Sequence, residues 1–506
     1  MVLKSQLLLL LPAPALSAAV TNCTASALPT PSVLGAKILS LNAFESTLES
    51  STISFCNLTL TYTHPGQNDL IKVWLGLPAS WNGRFQGAGG GGWVTGFPSQ
   101  MVLGIADGYA TVATDGGHDG LTQMTDEWAL LSPGNVNLYA LQNFASVALN
   151  DMTVLGKQLT EAYYGKPISK SYWAGCSTGG RQGLMMAQRY PDAYDGILAQ
   201  APAVHWAELI PTMFWPQWFM KQIGYFPPQC ELDAISAAAI SACDELDGLK
   251  DGIVGLTGLC TFDPHTIVGQ SYACGGIKGT ISKEAAEIAL ATWKGARNAE
   301  GEEQWPGVTP GSPLGAVANT TCDSTGSNCT GLPFHVASEW HQIFLQKNTS
   351  FDPYSYTREG WDAAFHASVQ QYTSIIGTSD PDLSEFKKRG GKMITSHGIA
   401  DEAIPFNSTV NYYERVLALD SNVTDFYRFF GAPGVGHCGG NIGAQSTLAD
   451  FMDPLVVWVE EGKAPETINA ARAINGTNWE QDLCLWPSSS IYKGGDPALS
   501  SSYQCE

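Results

Sequence analysis

The sequence is short of positive charge. Its 506 residues carry 26 Lys and Arg against 47 Asp and Glu, a formal net charge of −21. Binding a phosphate backbone needs a basic face, so a nucleic-acid partner is excluded. Beyond residue 20 no apolar run is long enough to span a bilayer, which excludes a membrane partner of that kind. Collagen-like triplets and coiled-coil heptads are absent. No CxxC pair occurs among the 12 Cys, which argues against zinc. Histidine is scarce, with nine in the chain, so candidates for a general base are few.

What is present points to a folded, exported protein. A composition 44% hydrophobic with 15 Trp is not that of a disordered chain, and the length suits one large domain or two of ordinary size. The N-terminus has one cation, Lys4, then an apolar core at 7–11 and a small-residue site at Ser17 and Ala19. This pattern predicts a signal peptide over 1–19, cleaved after Ala19. An even number of Cys in a secreted chain predicts disulfides. Eight N-x-S/T sequons, at Asn22, Asn57, Asn319, Asn328, Asn348, Asn407, Asn422 and Asn475, favour an extracellular glycoprotein.

Strand-like runs fall at 70–77, 84–87, 109–114, 171–175, 196–201, 392–397 and 426–431, with helical patterns at 137–164 and 180–190. The alternation predicts an α/β fold with a mostly parallel sheet covered on both faces. It breaks between 205 and 380, a stretch rich in Trp, Gly and sequons that holds six Cys. Sheet-like runs resume afterwards, so this stretch is an insertion and not a tandem domain. The predicted division is 1–19 signal, 20–204 first part of the α/β domain, 205–380 insertion and 381–506 second part. Aromatics at Trp206, Phe214, Trp215, Trp218, Phe219 and Tyr225 read first as packing of the insertion on the core. Lys387-Lys388-Arg389 reads as a solvated turn or a dibasic processing site.

The strongest chemical signal is Gly175-Cys176-Ser177-Thr178-Gly179. It follows an apolar run and opens a helix, which is the setting of a G-x-S-x-G nucleophile elbow. The helix N-terminus can stabilise developing negative charge. An α/β-hydrolase places its acid and base later, in the order Ser, Asp or Glu, His. His437 sits on a Gly-rich loop after a strand and is the predicted base. Asp401, just past another strand, is the predicted acid, with Glu402 second to it. His397 reads as a loop histidine bonded to local backbone. If Ser177 and His437 meet, then Cys176 and Cys438 are close too, and a bridge between them pins nucleophile to base. Oxyanion donors are expected from the Thr178 N–H and from the Gly-rich run at 87–92, where Gly90 and Gly91 are named. The run at 243–253 concentrates carboxylates with Asp-Gly turns; this suits either Ca²⁺ or a solvated acidic turn.

These residues resemble the fungal tannase/feruloyl esterase family, in its feruloyl esterase B-like form. The likeness is carried by Gly175–Gly183 with its Cys-Ser pair, Arg189-Tyr190-Pro191, Asp195-Gly196-Ile197, Ala201-Pro202-Ala203, His397-Gly398-x-x-Asp401 and Gly436-His437-Cys438. It extends from about residue 23 to the C-terminus. The resemblance implies an α/β-hydrolase whose insertion is a lid domain, and an extracellular serine esterase acting on phenolic esters, of the feruloyl or alternatively the galloyl (tannase) kind. It also implies a structural Ca²⁺ in the lid, held by the carboxylates of Asp244, Asp247 and Asp251 and the carbonyls of Leu249 and Ile253, with Cys243–Cys260 closing the loop. Bridges Cys23–Cys56 and Cys484–Cys505 follow from order and resemblance, while Cys230, Cys274, Cys322 and Cys329 stay open. No organic cofactor is required. A serine carboxypeptidase shares the fold class but not the Cys-flanked pair. A non-catalytic secreted binder on this scaffold would be expected to lose Ser, Asp or His, and all three are kept.

Overall fold

The computed structural model describes residues 22–506 apart from 50, 325, 327, 441–442, 444–447 and 475–476. The signal-peptide stretch 1–19 and the sequon at Asn475 therefore lie outside the described residues. Nine strands form the central sheet: β1 (Lys37–Thr47), β2 (Ser54–Thr63), β3 (Ile71–Pro78), β4 (Arg84–Ala88), β5 (Ala110–Thr114), β6 (Lys170–Cys176), β7 (Gly196–Gln200), β8 (Lys392–Gly398) and β9 (Tyr427–Ala432). Their order is β1-β2-β3-β5-β4-β6-β7-β8-β9. The pairs from β1 to β5 by way of β3 are antiparallel, and every pair from β5 to β9 is parallel.

The parallel strands are continuous apolar runs because both of their faces are covered. Successive residues of one strand enter different cores. Trp173, Ile197, Met393 and Phe429 join helices α1 (Ala148–Tyr164), α2 (Thr178–Arg189) and α6 (Phe406–Leu419) on one side. Tyr172, Leu198, Ile394 and Phe430 meet α7 (Leu448–Glu461) on the other. Strand β2 alternates instead, with Leu58, Leu60 and Tyr62 inward and Asn57, Thr59 and Thr61 turned out. The helix expected over 137–164 is interrupted: a wide π turn at Asn143–Val147 precedes α1. Arg181 on α2 donates to the Phe144 and Ala145 carbonyls of that turn, at 3.3 and 3.1 Å.

The stretch from 205 to 380 leaves after β7 and returns before β8. It contains α3 (Gln229–Cys243), α4 (Lys283–Lys294), α5 (Arg358–Ile376) and three two-stranded ribbons. Among the described residues, none of its strands joins the central sheet. Leu232, Ile235, Ile288 and Trp293 give it an apolar core of its own. Trp206, Phe214, Trp215 and Trp218 are buried in a second cluster, shared with Trp93 and Phe144 of the flanking sequence. The Trp93 indole N–H donates to Glu339 at 2.7 Å, and the Trp305 indole N–H to Ser408 at 3.1 Å. The insertion thus packs against chain on either side of it. Lys387-Lys388-Arg389 closes a short helix, with Lys387 paired to Asp420 and Arg389 to Asp192.

The two cores make a symmetrical demand. Ile197→Ala and Leu198→Ala, on opposite faces of β7 and both fully buried, should each lower unfolding free energy by about 2–5 kcal/mol in urea titrations. A loss at only one of the two positions would mean that only one face is tightly packed.

Candidate active site

Strand order decides where a site can form. Strand β4 pairs with β5 on one side and β6 on the other, so the chain turns in opposite directions after β4 and after β6. Ligand crevices of open α/β sheets lie outside the carboxyl ends of strands at such a point. The Gly-rich loop follows β4 and Ser177 follows β6. Asp401 comes just past β8 and His437 just past β9.

Ser177 forms the sharp turn between β6 and α2, with φ 62° and ψ −124°. A positive φ at a non-glycine residue costs roughly 1–3 kcal/mol and persists only when its surroundings impose it. Here the Ser177 N–H donates to the Gln200 carbonyl at 3.0 Å, and the Ser177 carbonyl accepts from Arg181 and Ala203 at 3.0 and 3.1 Å. The turn also excludes side chains around it. A Cβ on Gly175 would stand 2.5 Å from the Gly179 carbonyl oxygen, and one on Gly89 2.5 Å from the Gly179 Cα. Ser177 itself is half-buried and stands at the N-cap position of α2, its side chain making no capping hydrogen bond.

Asp401 is fully buried and accepts four hydrogen bonds. Its Oδ1 takes the N–H groups of Ala403 and Ile404 at 2.9 and 2.8 Å. Its Oδ2 meets His437 Nδ1 at 2.8 Å and His397 Nε2 at 3.1 Å. Burial opposes the charge, but the His437 charge and the two histidine hydrogen bonds outweigh it and hold the carboxyl well below its ordinary range. For His437 burial favours the neutral ring. The Asp401 charge and hydrogen bond, with help from Glu402, overcome it and leave the imidazole above its ordinary value. Glu402 does not orient the ring; its Oε2 accepts the His437 backbone N–H at 3.1 Å.

Two sequence expectations need correction here. His397 is not a loop residue held only by local backbone. It lies in β8, and its Nε2 faces the Asp401 carboxylate as well as the Ile404 carbonyl, at 3.1 Å each. Gly90 and Gly91 are not available as oxyanion donors. The Gly90 N–H donates to Gln182 Oε1 at 3.0 Å, and the Gly91 N–H to the Val94 carbonyl at 3.1 Å. A donor already satisfied inside the fold cannot stabilise new charge without breaking that bond. The loop residue beside Thr178 is Gly92, whose carbonyl accepts the Thr178 hydroxyl at 2.8 Å. Among the described residues the Gly92 N–H has no backbone partner. The Thr178 N–H, first of its helix, has none within the helix.

Six disulfides close the chain: Cys23–Cys56, Cys176–Cys438, Cys230–Cys274, Cys243–Cys260, Cys322–Cys329 and Cys484–Cys505. Cys176–Cys438 joins positions 262 apart in sequence across a Cα–Cα distance of 5.8 Å. It ties the residue before Ser177 to the residue after His437.

The acidic loop lies between Cys243 and Cys260. Asp244 accepts the N–H groups of Asp251, Gly252 and Ile253 at 3.0, 2.9 and 3.2 Å. Burial, followed by the charges of Asp251 and Asp244, pushes Asp247 up to about 6 against the pull of the Leu249 N–H. Asp251 forms a buried ion pair with Arg472. An all-oxygen set of mutually repelling carboxylates has the chemistry of a hard-cation site. Arg472 already answers one of those charges, and among the described residues no three acids, Cys or His stand arranged around a common metal position. The loop also reaches the loop that carries His437, which its sequence did not suggest. A Cβ on Gly434, three residues before His437, would lie 2.8 Å from Ile253. Gly252, Ile253, Ile399, Ala400 and Gly434 line a shared cavity of about 160 Å³.

Comparison with known proteins places this geometry in context. Residues 56–506 match the family model described as tannase and feruloyl esterase. A probable feruloyl esterase of Arthroderma benhamiae is 38% identical over 96% of this chain and 94% of its own length. The solved tannin acyl hydrolase of Aspergillus niger superimposes with a TM-score of 0.87 at 30% identity, over 96% of this chain and 95% of that one. Feruloyl esterase B of Aspergillus oryzae does so with a TM-score of 0.80 at 27% identity, over 94% and 97%.

If Ser177 is the nucleophile and His437 its base, a fluorophosphonate should label the serine at a rate that rises with pH as His437 loses its proton. The acid limb should lie above the ordinary histidine value of 6.5, because Asp401 raises this ring. In Asp401→Asn the charge and hydrogen bond that raise this ring most are lost and only Glu402 still opposes burial, so the limb should move to lower pH while the rate falls by about 10⁴-fold. Labelling kinetics across pH check both.

Proposed function

The chain belongs to the tannase and feruloyl esterase family, and from that footing we propose that it is a secreted serine esterase cleaving hydroxycinnamoyl esters (feruloyl, caffeoyl or p-coumaroyl) of plant cell-wall or other phenolic substrates. That it is a carboxylic ester hydrolase follows from the family. The observation that carries the mechanism is the 2.8 Å contact between Asp401 Oδ2 and His437 Nδ1, with the disulfide binding the base's neighbour to the nucleophile's.

The chemistry proceeds in two steps. His437 takes the Ser177 hydroxyl proton through Nε2 as Oγ attacks the ester carbonyl. Asp401 holds the Nδ1–H tautomer and stabilises the imidazolium. Negative charge forms on the carbonyl oxygen and is met by the N–H groups of Thr178 and Gly92 and by the positive end of α2. The C–O bond to the alcohol breaks, and His437 returns the proton to the leaving oxygen. Water then adds to the acyl-enzyme with His437 again the base, releasing the acid and restoring Ser177.

The cinnamoyl preference is supported by the Arthroderma relative and its printed name. A galloyl preference has its own support in the close superposition on a tannin acyl hydrolase. Export is supported by the leader-like N-terminus, by six disulfides and by the lack, among the described residues, of any helix long and apolar enough to cross a membrane. N-glycans are proposed at exposed sequons such as Asn22, Asn348, Asn407 and Asn422. The 205–380 insertion is proposed as the lid. A structural Ca²⁺ is proposed in its acidic loop, where Asp244, Asp247 and Asp251 with the Leu249 and Ile253 carbonyls would hold it and it would screen their mutual repulsion.

Methyl ferulate, methyl caffeate and methyl gallate, assayed side by side, separate the two specificities. The cinnamates should be cleaved well and the gallate poorly; a preferred gallate makes the protein a tannase. Ser177→Ala should lower kcat by about 10⁶-fold on whichever ester is used, and full activity in that variant would remove the triad. For the metal, dialysis against a chelator should lower Tm, and added Ca²⁺ should restore it. Because Ile253 abuts the His437 loop, hydrolysis should slow with the same midpoint. An unchanged Tm would mean that Arg472 and the backbone donors satisfy the loop unaided.

A further inference from the structure

We propose that His397 is a positioning residue for the hydrolytic triad: its Nε2–H donates to the Asp401 carboxylate, sets the direction of Oδ2 toward His437, and shares the charge that His437 would otherwise meet alone. This rests on the Ser177–His437–Asp401 reading above.

The tautomer of His397 follows from its partners. Nε2 faces Asp401 Oδ2 and the Ile404 carbonyl, at 3.1 Å each, and both of these only accept. The proton is therefore on Nε2. Nδ1 lies 2.7 Å from the Thr409 hydroxyl, which can donate to it. A neutral His397 is then satisfied at both nitrogens while its side chain and that of Asp401 are fully enclosed. Among the other buried histidines, His118, His205 and His341 each leave a ring nitrogen without a partner, whereas His64 meets Asp69 and Asp151 through its two ring nitrogens. The Phe406 ring, 5.7 Å away at 78°, closes the edge of His397.

With this bond every lone-pair site of the carboxylate is used: two backbone N–H groups on Oδ1 and two imidazoles on Oδ2. Such a group cannot rotate to offer His437 its other oxygen. The ionisable groups facing this centre are His437, Asp401, Glu402 and His397 itself. Withdrawing the His397 donor leaves Asp401 more basic and more strongly drawn to the imidazolium of His437. Proton return to the leaving alcohol should suffer, and the enzyme should need a higher pH to free its base.

The test compares His397→Leu with His397→Gln, whose amide N–H₂ reaches about as far as Nε2. On an ester the wild type hydrolyses, the Leu variant should lose about ten- to a hundredfold in kcat, the range for a hydrogen bond to a charged group. Its KM should change little, and the acid limb of its kcat/KM profile should move to higher pH. The Gln variant should recover most of the rate and return the limb. A limb that stays in place in both variants would overturn the proposal and leave His397 as a brace for the Asp401–Ile404 turn. If the Leu variant does not fold, Thr409→Val replaces it: losing the donor to Nδ1 loosens the same imidazole, so the limb must move the same way by less. An unmoved limb beside an inactive Ser177→Ala protein defeats this proposal alone. An active Ser177→Ala protein defeats the triad and the proposal together.

Discussion

The constraint on which the rest depends is a carboxylate charge enclosed completely by protein. Burying an unpaired anion costs several kcal/mol or more, so a buried Asp survives only where donors surround it. Asp401 is supplied with four, drawn from its own turn, from β8 and from the loop after β9. The His437 donor reaches it because β8 and β9 lie side by side in parallel register, with His397 opposite Gly431. The sheet thus sets the electrostatics, and the electrostatics hold His437 in one tautomer and one direction.

Rigidity on the nucleophile side is obtained differently. Ser177 sits in a strained turn, kept there by carbonyl and amide contacts to the ends of neighbouring strands and by glycines that let the Gly-rich loop touch the start of α2. Behind it Arg181 is fully buried over the Phe144 and Trp206 rings, where burial pushes its guanidinium down to about 9. It binds helix α2 to carbonyls of the π turn. The disulfide Cys176–Cys438 then joins the two halves of the site, delivered by strands that are far apart in sequence. Trp93 and Glu339 connect the Gly-rich loop to the insertion, and Trp93 shares one aromatic cluster with it.

Much of this was legible in advance because its signals are local. Seven sheet strands read as apolar runs; six of them have a parallel partner and are buried on both faces, which removes polar alternation, while β3 is antiparallel to both neighbours. Strands β1 and β2 were not read. β1 is a largely exposed edge, and its residues resemble a polar linker until β2 pairs with it. The residues of the proposed triad were visible as a small-residue elbow and as a Ser, an Asp and a His just beyond strand ends. The bridge between their neighbouring cysteines followed from the same reasoning and has the expected partners.

What escaped was everything that depends on which N–H or lone pair remains free. Four glycines in a row look interchangeable, yet Gln182 and Val94 take the N–H groups of Gly90 and Gly91 and leave Gly92 beside Thr178. His397 looked like any strand-end histidine until β8 and the turn after it folded its Nε2 onto the acid. The acidic loop gave no hint of its distance from the catalytic loop, or that Arg472, more than two hundred residues on, would pair with Asp251. By itself the sequence determined the kind of chemistry and the residues able to perform it, because residue type and short spacing are local properties. Only the tertiary structure decided which groups are still available to a substrate, because hydrogen-bond capacity is finite and long-range packing determines how it is spent.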